Sequence, residues 1–275
     1  MDEVLAVRDH LYERSGIYLP AGRRYLFESQ FLSRMESTRL SSLAEYLLYL
    51  KKQPHAGELS NLLNELNLGA LSFFADPVRF KALSAVFIPE IVRRSEGATK
   101  ELIIWLAGCG TGEEAYAAAM VLHQLQSTLL KGWRCLVWGT DRSNAAVAKA
   151  KEGLYEQFNV RGLPQELKEQ YLARAQQGLM VAPELRSLTR FDQFDLAQLP
   201  SAGPRNKISI IFCCGELAHF DPQSRAPLVS LLYEALQEGG YLVLANLESL
   251  QGLRNGFRLV HYPGGFAYRK QLKGG

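Results

Sequence analysis

The sequence predicts an α/β fold built on a parallel sheet, and three observations carry that expectation. Beyond residue 100, the short apolar runs ELIIWLA, RCLVWGTD, KISIIFCC and YLVLANLE alternate with the helical segments AYAAAMVLHQLQSTLL, NAAVAKAKEG and QSRAPLVSLLYEALQEGG. The runs are apolar on both faces, as strands are when helices cover both sides of a sheet. The glycine-rich stretch GCGTGEE follows the first run and opens a helix, which is where doubly wound sheets hold nucleotides.

The elements follow in order. Up to about residue 95 the chain reads as helices. Val4, Val7, Leu11 and Tyr12 recur at helical spacing, with Gly16 as the expected C-cap. RRYLFESQFLSRMESTRL, SSLAEYLLYLKKQ and ELSNLLNELNLG are each amphipathic, and Ser41 or Ser42 with Glu45 makes a capping box. Pro54 and Gly57 interrupt the run. A further helix over DPVRFKALSAVFIPEIVRR takes Asp76 as N-cap and Pro77 in its first turn. The polar stretch SEGATK then leads into the strand–helix alternation. Residues 154–200 interrupt that alternation with LPQELKEQYLARA, helical, and GLMVAPELRSLTRFDQFD, a few short strands; the span is too long for an ordinary connection and implies an inserted subdomain. FRLVHYPGGFAYRK, with Pro-Gly-Gly between two β-prone runs, reads as a terminal hairpin. The expected organisation is a small helical domain over 1–75 and an α/β domain over 76–275, with a β-type insertion at about 175–195.

Composition narrows the function classes. At 47% apolar and 21% charged, the 275-residue chain is that of a folded globular protein. A net charge of +3 gives no argument for nucleic acid. No uncharged apolar stretch reaches the eighteen or so residues a bilayer demands, so no membrane insertion is expected. MDEVLAVRDH carries acids where a signal peptide needs basic residues, so export is not expected. Cys109, Cys135, Cys213 and Cys214 have neither disulfide-framework nor zinc spacing, which suits a reducing cytoplasm. His10, His55, His123 and His261 are scattered, and no metal site is expected.

The chemistry gathers at Gly108-Cys109-Gly110-Thr111-Gly112. Glycines there let a ligand approach the backbone closely. The spacing is neither the GxGxxG of dinucleotide folds nor a P-loop, and no lysine follows to meet a phosphate. Glu113 and Glu114 instead open the helix and would repel one. A cationic ligand is favoured, and S-adenosylmethionine, with its ammonium and sulfonium, fits. Asp141 ends the second strand, where an acid accepts hydrogen bonds from ribose hydroxyls.

WLAGCGTGEEAYAAAM, WGTDRSNAAVAKAKEGLY, IIFCCGELAHFD and EGGYLVLANLESLQGL, together with ERSGIYLPAGRRYLFESQFLSRM and LSFFADPVRF, resemble the successive motifs of the CheR chemotaxis receptor methyltransferases. The resemblance covers nearly the whole chain. It implies a Rossmann-like S-adenosylmethionine-dependent methyltransferase domain with a small N-terminal all-helical domain and a small β insertion. It also implies methyl transfer to receptor glutamates, giving γ-methyl esters and S-adenosylhomocysteine. The partner implied is a chemoreceptor or a related signalling protein.

Carried over residue by residue, the resemblance assigns Gly108, Gly110 and Gly112 to the cofactor loop. It assigns Glu114 to the methionine ammonium, Asp141 to the ribose, and Asp195 and Leu196 to the adenine side, with Cys214 and Gly215 also at the cofactor. The departures cluster around the transferring methyl. The family's Asn-x-Thr-x-Phe-Phe-Arg reads Gly69-Ala70-Leu71-Ser72-Phe73-Phe74-Ala75, and its Cys-Arg-Asn reads Cys213-Cys214-Gly215. His219 stands where the family has an active-site Tyr, either as a hydrogen-bond donor to substrate and so the catalytic candidate, or as a strand-end polar group. The late Gly-His-Ser-Glu-Ser-Leu motif reads Ala245-Asn246-Leu247-Glu248-Ser249-Leu250. Arg23, Arg24, Arg34 and Arg39 lie on helices that in the family face the receptor; a solvated basic face is the plainer reading. Two functions stay open: a protein carboxyl methyltransferase, or a catalytically impaired cofactor-binding or interaction module of a chemosensory-like pathway.

Overall fold

The computed structural model describes residues 2–15, 19, 24, 27–52, 56–65, 73–74, 76–95, 100–157, 159–160, 162–196, 204–217, 220, 222–245, 248–253 and 256–272. The expectations at Gly16, Pro54, Leu71, Ala75, His219 and Asn246 therefore fall outside the described residues.

Four helices open the chain: α1 (Glu3–Ser15), α2 (Glu28–Ser37), α3 (Leu43–Lys51) and α4 (Ala56–Glu65). They enclose a core of their own in which Val4, Val7 and Leu11 meet Phe31, Tyr46, Leu50 and Leu62. The N-terminus of α3 is closed as its sequence predicts. Ser42 accepts the amide of Glu45, and the Glu45 carboxylate accepts the amide of Ser41 at 3.0 Å. Of the expected basic face, Arg23 lies outside the described residues, Arg39 is exposed, and Arg34 and Arg24 are paired within the domain. Arg34 lays its guanidinium on buried Glu58 at 3.0 and 2.7 Å, Tyr46 donates to the same carboxylate, and Arg24 pairs with Glu28 and Asp2.

Helix α5 (Pro77–Ala82) starts on Asp76, whose carboxylate accepts from Val78 and Arg79. It passes through a π turn at Leu83–Phe87 into α6 (Ile88–Arg94). The wider turn accommodates Pro89, which has no N–H to donate and crowds the carbonyl four residues back.

The α/β part follows as β1 (Glu101–Ala107), α7 (Glu113–Gln126), β2 (Arg134–Asp141), α8 (Asn144–Glu152), β3 (Leu154–Tyr155), α9 (Gln165–Tyr171), β4 (Leu172–Ala175), β5 (Gly178–Val181), α10 (Pro183–Ser187), β6 (Thr189–Gln193), β7 (Ile208–Cys213), α11 (Pro222–Ala235), β8 (Leu236–Leu244), β9 (Phe257–Tyr262) and β10 (Gly265–Lys270). Among the described residues, the main sheet has seven strands in the order β6-β2-β1-β7-β8-β10-β9. The first five are parallel; β10 and β9 add the expected terminal hairpin in antiparallel register.

Alternation along the strands sends side chains to two cores. In β1, Leu102, Ile104 and Leu106 face the layer of α6 and α7, while Trp105 and Ala107 face that of α11. In β7, Ile210 and Phe212 take the first face, Ile211 and Cys213 the second. Cys213 is thus a small buried strand residue, and all four cysteines are free. A second, three-stranded sheet in the order β3-β5-β4 forms the inserted subdomain. It draws on residues 154–181 rather than 175–195: Thr189–Gln193 pairs in parallel with β2 and extends the main sheet. That strand was read with its neighbours because short strands of either sheet carry the same pattern.

Replacing Glu58 with Ala leaves the Arg34 guanidinium half-enclosed without its anion, and should lower unfolding stability by about 3 kcal/mol. Urea denaturation followed by circular dichroism reads this; a loss below about 0.5 kcal/mol would show that the pair is a surface contact.

Candidate functional site

The order of the strands reverses between β1 and β7, and the crevice beyond their C-terminal ends is where an open α/β sheet holds its ligand. The Gly108–Gly112 turn leaves β1 there, and Cys214-Gly215-Glu216 leaves β7 beside it. Gly108, Gly110 and Gly112 all have positive φ, at 80°, 53° and 95°. At Gly108 the need is also spatial: a Cβ would lie 2.2 Å from the Glu216 carboxylate. The amides of Gly108 and Cys109 both donate to the carbonyl of Thr140, and that of Gly110 to the Asp141 carboxylate at 2.9 Å.

From behind, the small sheet pins this turn. Tyr155 donates to the carbonyl of Thr111 at 2.6 Å, and Asn159 to the Glu113 carboxylate at 2.9 Å. Thr111 donates to Glu113 as well. Glu113, with 0% exposure, belongs to this support and not to the cleft. Burial pushes its carboxyl up to about 7, against the opposing hydrogen bonds from Thr111 and Asn159. Gly112 also faces away from the cleft, against Ala150 and Tyr155. Glu114 points the other way, with its carboxylate 3.8 Å from Arg79 of α5.

A cavity of about 220 Å³ opens over the turn, and Gly108, Asp141, Asp195 and Leu196 line it together with Phe194 and Phe220. Four of the predicted residues are thus brought around one space. Glu114 and Cys214 are brought together beside it through Arg79, whose guanidinium contacts the Cys214 thiol. Gly215 sits in the adjoining loop, its amide held by Glu248, which also takes the amide of Ala245 and so ties the ends of β7 and β8.

Four further residues near the cleft carry no functional signal in the sequence. Tyr12 leaves the helical core for which its spacing marked it and donates to Asp141 at 2.6 Å, with Arg142 stacked on its ring. It sits one step off the Val4–Val7–Leu11 stripe, an offset that by itself names no function. Glu216 packs on Gly108, and burial beside Asp141 pushes its carboxyl up to about 8. Arg142 directly follows the strand-end acid. Arg79 sits one turn into its helix.

The residues present fit an adenosyl cofactor. An acid ends β2, Gly108 contributes backbone to the cavity wall, Phe194, Leu196 and Phe220 offer an apolar wall to a flat base, and the carboxylates suit a cation.

The family described as CheR methyltransferase, SAM binding domain, matches residues 70–266, and its all-alpha domain matches residues 2–66. The chain belongs to the CheR methyltransferase family. It is similar to chemotaxis protein methyltransferase 2 of Vibrio cholerae serotype O1, 29% identical over 97% of this chain and 92% of that protein. It is likewise similar to chemotaxis protein methyltransferase Cher2 of Pseudomonas putida, 29% identical over 95% of each. The Escherichia coli chemotaxis protein methyltransferase is 27% identical over 90% of this chain and 85% of its own length. The CheR chain described here is accordingly a methyltransferase, and S-adenosylmethionine is its cofactor.

Glu113 makes the support of the CheR loop sensitive to pH. Folded, it keeps its proton up to about pH 7; unfolded, it releases it near pH ~4.3. The native state therefore binds the extra proton, and this contribution to stability is present at low pH and lost as pH rises through that window. Relative to Glu113→Gln, which mimics the neutral acid, the wild type should lose stability between about pH 5 and pH 8. Urea midpoints at both pH values test this; parallel curves would show a charged carboxylate inside.

Proposed function

We propose that this chain methylates glutamate side chains of a chemoreceptor, producing γ-methyl esters in the cytoplasm. The observation that carries the reading is the convergence of the glycine turn, Asp141 and Glu114 at the strand-order reversal. The names of the relatives, chemotaxis protein methyltransferases over nearly their full lengths, support the receptor as acceptor. No described helix is long and apolar enough to cross a membrane, and the four free cysteines suit a reducing compartment.

In this reading Gly108 and Gly110 let the cofactor lie on the backbone, and Gly112 closes the turn onto α8. Asp141 takes the ribose hydroxyls in place of the Tyr12 hydroxyl, and Glu114 takes the ammonium. Leu196 and Asp195 serve the adenine, Cys214 and Gly215 the cofactor, and His219 is the candidate hydrogen-bond donor to the acceptor. The helical part, over 1–75, is assigned to receptor contact.

When bound, S-adenosylmethionine supplies an electrophilic methyl group, whose bond to sulfur breaks with its electron pair left on sulfur as an acceptor oxygen bonds to the carbon. A glutamate with its ordinary pKa of ~4.3 is already ionised at neutral pH, so the chain need not remove a proton. Its contribution is alignment, which accounts for roughly 7–11 kcal/mol of a barrier when reacting groups are held in place. The polar residues lost at positions 71, 75 and 215 favour a second reading, a cofactor-binding module without turnover.

Asp141→Ala should weaken S-adenosylhomocysteine binding roughly 10- to 100-fold, the scale of hydrogen bonds to a charged group, read by isothermal titration calorimetry. Methyl-labelled cofactor with receptor signalling fragments should yield protein-bound label that base releases as methanol. Binding without transfer to any receptor would leave the second reading standing; unchanged binding in Asp141→Ala would remove the proposed ribose contact.

A further inference from the structure

Arg79 is a partly buried guanidinium beside the cleft, held between Asp76, Glu114 and Cys214 without a two-pronged partner. Its side chain is 12% exposed. It lies 3.0 Å from Asp76 and 3.8 Å from Glu114, and one amino group contacts the thiol of Cys214. None of these is the paired, two-pronged contact a guanidinium forms with a carboxylate. Its Nε lies 3.0 Å from Asp76 as an ion pair without a well-aligned hydrogen bond. Burial holds the Cys214 thiol uncharged, and a thiol is a poor acceptor.

Keeping a guanidinium out of water costs several kcal/mol unless its donors are met. Asp76 is partly committed elsewhere, since it caps α5 through the amides of Val78 and Arg79. What remains is a fixed cation at the C-terminal edge of the sheet, with donors to spare and Glu114 beside it. That pair suits the two ends of an amino-acid zwitterion, a carboxylate on Arg79 and an ammonium on Glu114.

The same contact bears on one departure that the resemblance implies, since Cys214 stands where the resembled motif has an arginine. The Arg79 guanidinium touches Cys214, and so supplies from α5 a positive charge that residue 214 does not carry. Its length allows this: a long side chain one turn into α5 spans to the end of β7, 135 residues on.

We propose that Arg79 is a carboxylate-binding residue of the methyl-transfer site, replacing in space the guanidinium missing at position 214. Two carboxylates reach that site under the function proposed above, on which this inference rests: that of the acceptor glutamate and that of the cofactor's amino-acid end. Transfer joins an anionic oxygen to a cationic donor and neutralises both, so a cation beside the acceptor stabilises the ground state more than the transition state. Arg79 therefore binds and orients; it is a positioning residue whose removal raises KM more than it lowers kcat.

The test uses the full chain in four forms: wild type, Arg79→Ala, Arg79→Lys, and the double variant Arg79→Ala with Cys214→Arg. Each is measured for S-adenosylhomocysteine affinity, for KM and kcat with receptor fragments, and for thermal melting. Arg79→Ala should lose roughly 10- to 100-fold in one carboxylate-dependent quantity. A rise in receptor KM with unchanged S-adenosylhomocysteine affinity assigns the acceptor carboxylate; a fall in that affinity assigns the cofactor's. Arg79→Lys, which keeps the charge without the fork, should fall between. The double variant should recover at least half the loss on a logarithmic scale, which a purely structural Arg79 would not allow. Wild-type KM and affinity in a folded Arg79→Ala would overturn the inference, as would a double variant no better than the single one. A wild type that transfers no methyl to any receptor would instead overturn the proposed function.

Discussion

The parallel pairing of β1 with β7 is the constraint on which the rest of the molecule depends. Ile104, Trp105 and Leu106 stand opposite Ile210, Ile211 and Phe212, although more than a hundred residues separate the two strands. Strand order reverses at this pair, so the loops that leave it diverge and open the crevice. The glycine turn and the Cys214–Glu216 loop meet there only because the register brings both strand ends to the same level. Everything chemical then hangs on those two loops: Asp141 holds the first through the amide of Gly110, and Glu248 holds the second through the amide of Gly215. The site is two turns clamped by two carboxylates on a rigid sheet.

Those clamps explain how so many acids coexist in a small volume. Glu113, Glu114, Asp141, Asp195, Glu216 and Glu248 all crowd the C-terminal edge, and like charges at such spacing cannot all be carried without cost. The structure divides them by environment. Asp141 and Glu248 accept hydrogen bonds from backbone amides. Glu114 faces a guanidinium. Glu113 and Glu216 are buried, and burial raises their carboxyls toward neutrality. At neutral pH Glu216 is then mostly protonated and Glu113 about half so, and the site presents a smaller negative field than its number of acids suggests.

The sequence made the sheet legible because a strand buried on both faces has few alternatives: ELIIWLA, RCLVWGTD and KISIIFCC are strands where expected, and Asp76-Pro77 and Ser42 cap helices as their types dictate. The glycine turn was legible for the same reason, since its function is written in the backbone. What stayed hidden depends on where a long side chain reaches. Tyr12 is one position from a core stripe yet bonds to a residue 129 places away. Glu216 follows a pair of cysteines and gives no sign that it packs on Gly108. The inserted sheet was placed too late in the chain because its first strand is only two residues long and its apparent last strand belongs to the larger sheet.

Arg79 shows why reading positions one at a time understates what such a site retains. Set against the motifs that the sequence resembles, the chain lacks arginines at positions 75 and 214, and taken position by position that argues for an emptied site. Charge, however, acts through distance and desolvation, not through sequence position. A guanidinium carried on α5 that touches residue 214 puts the cation beside the same loop as one carried at 214 itself, and the small Cys214 side chain leaves it the space. Without a cation from α5, Glu114 would lose the guanidinium that stands 3.8 Å from its carboxylate. The Cys214 and Arg79 identities are therefore coupled: each is tolerable in this cleft because of the other, and the acidic wall at Glu114 is what binds them together.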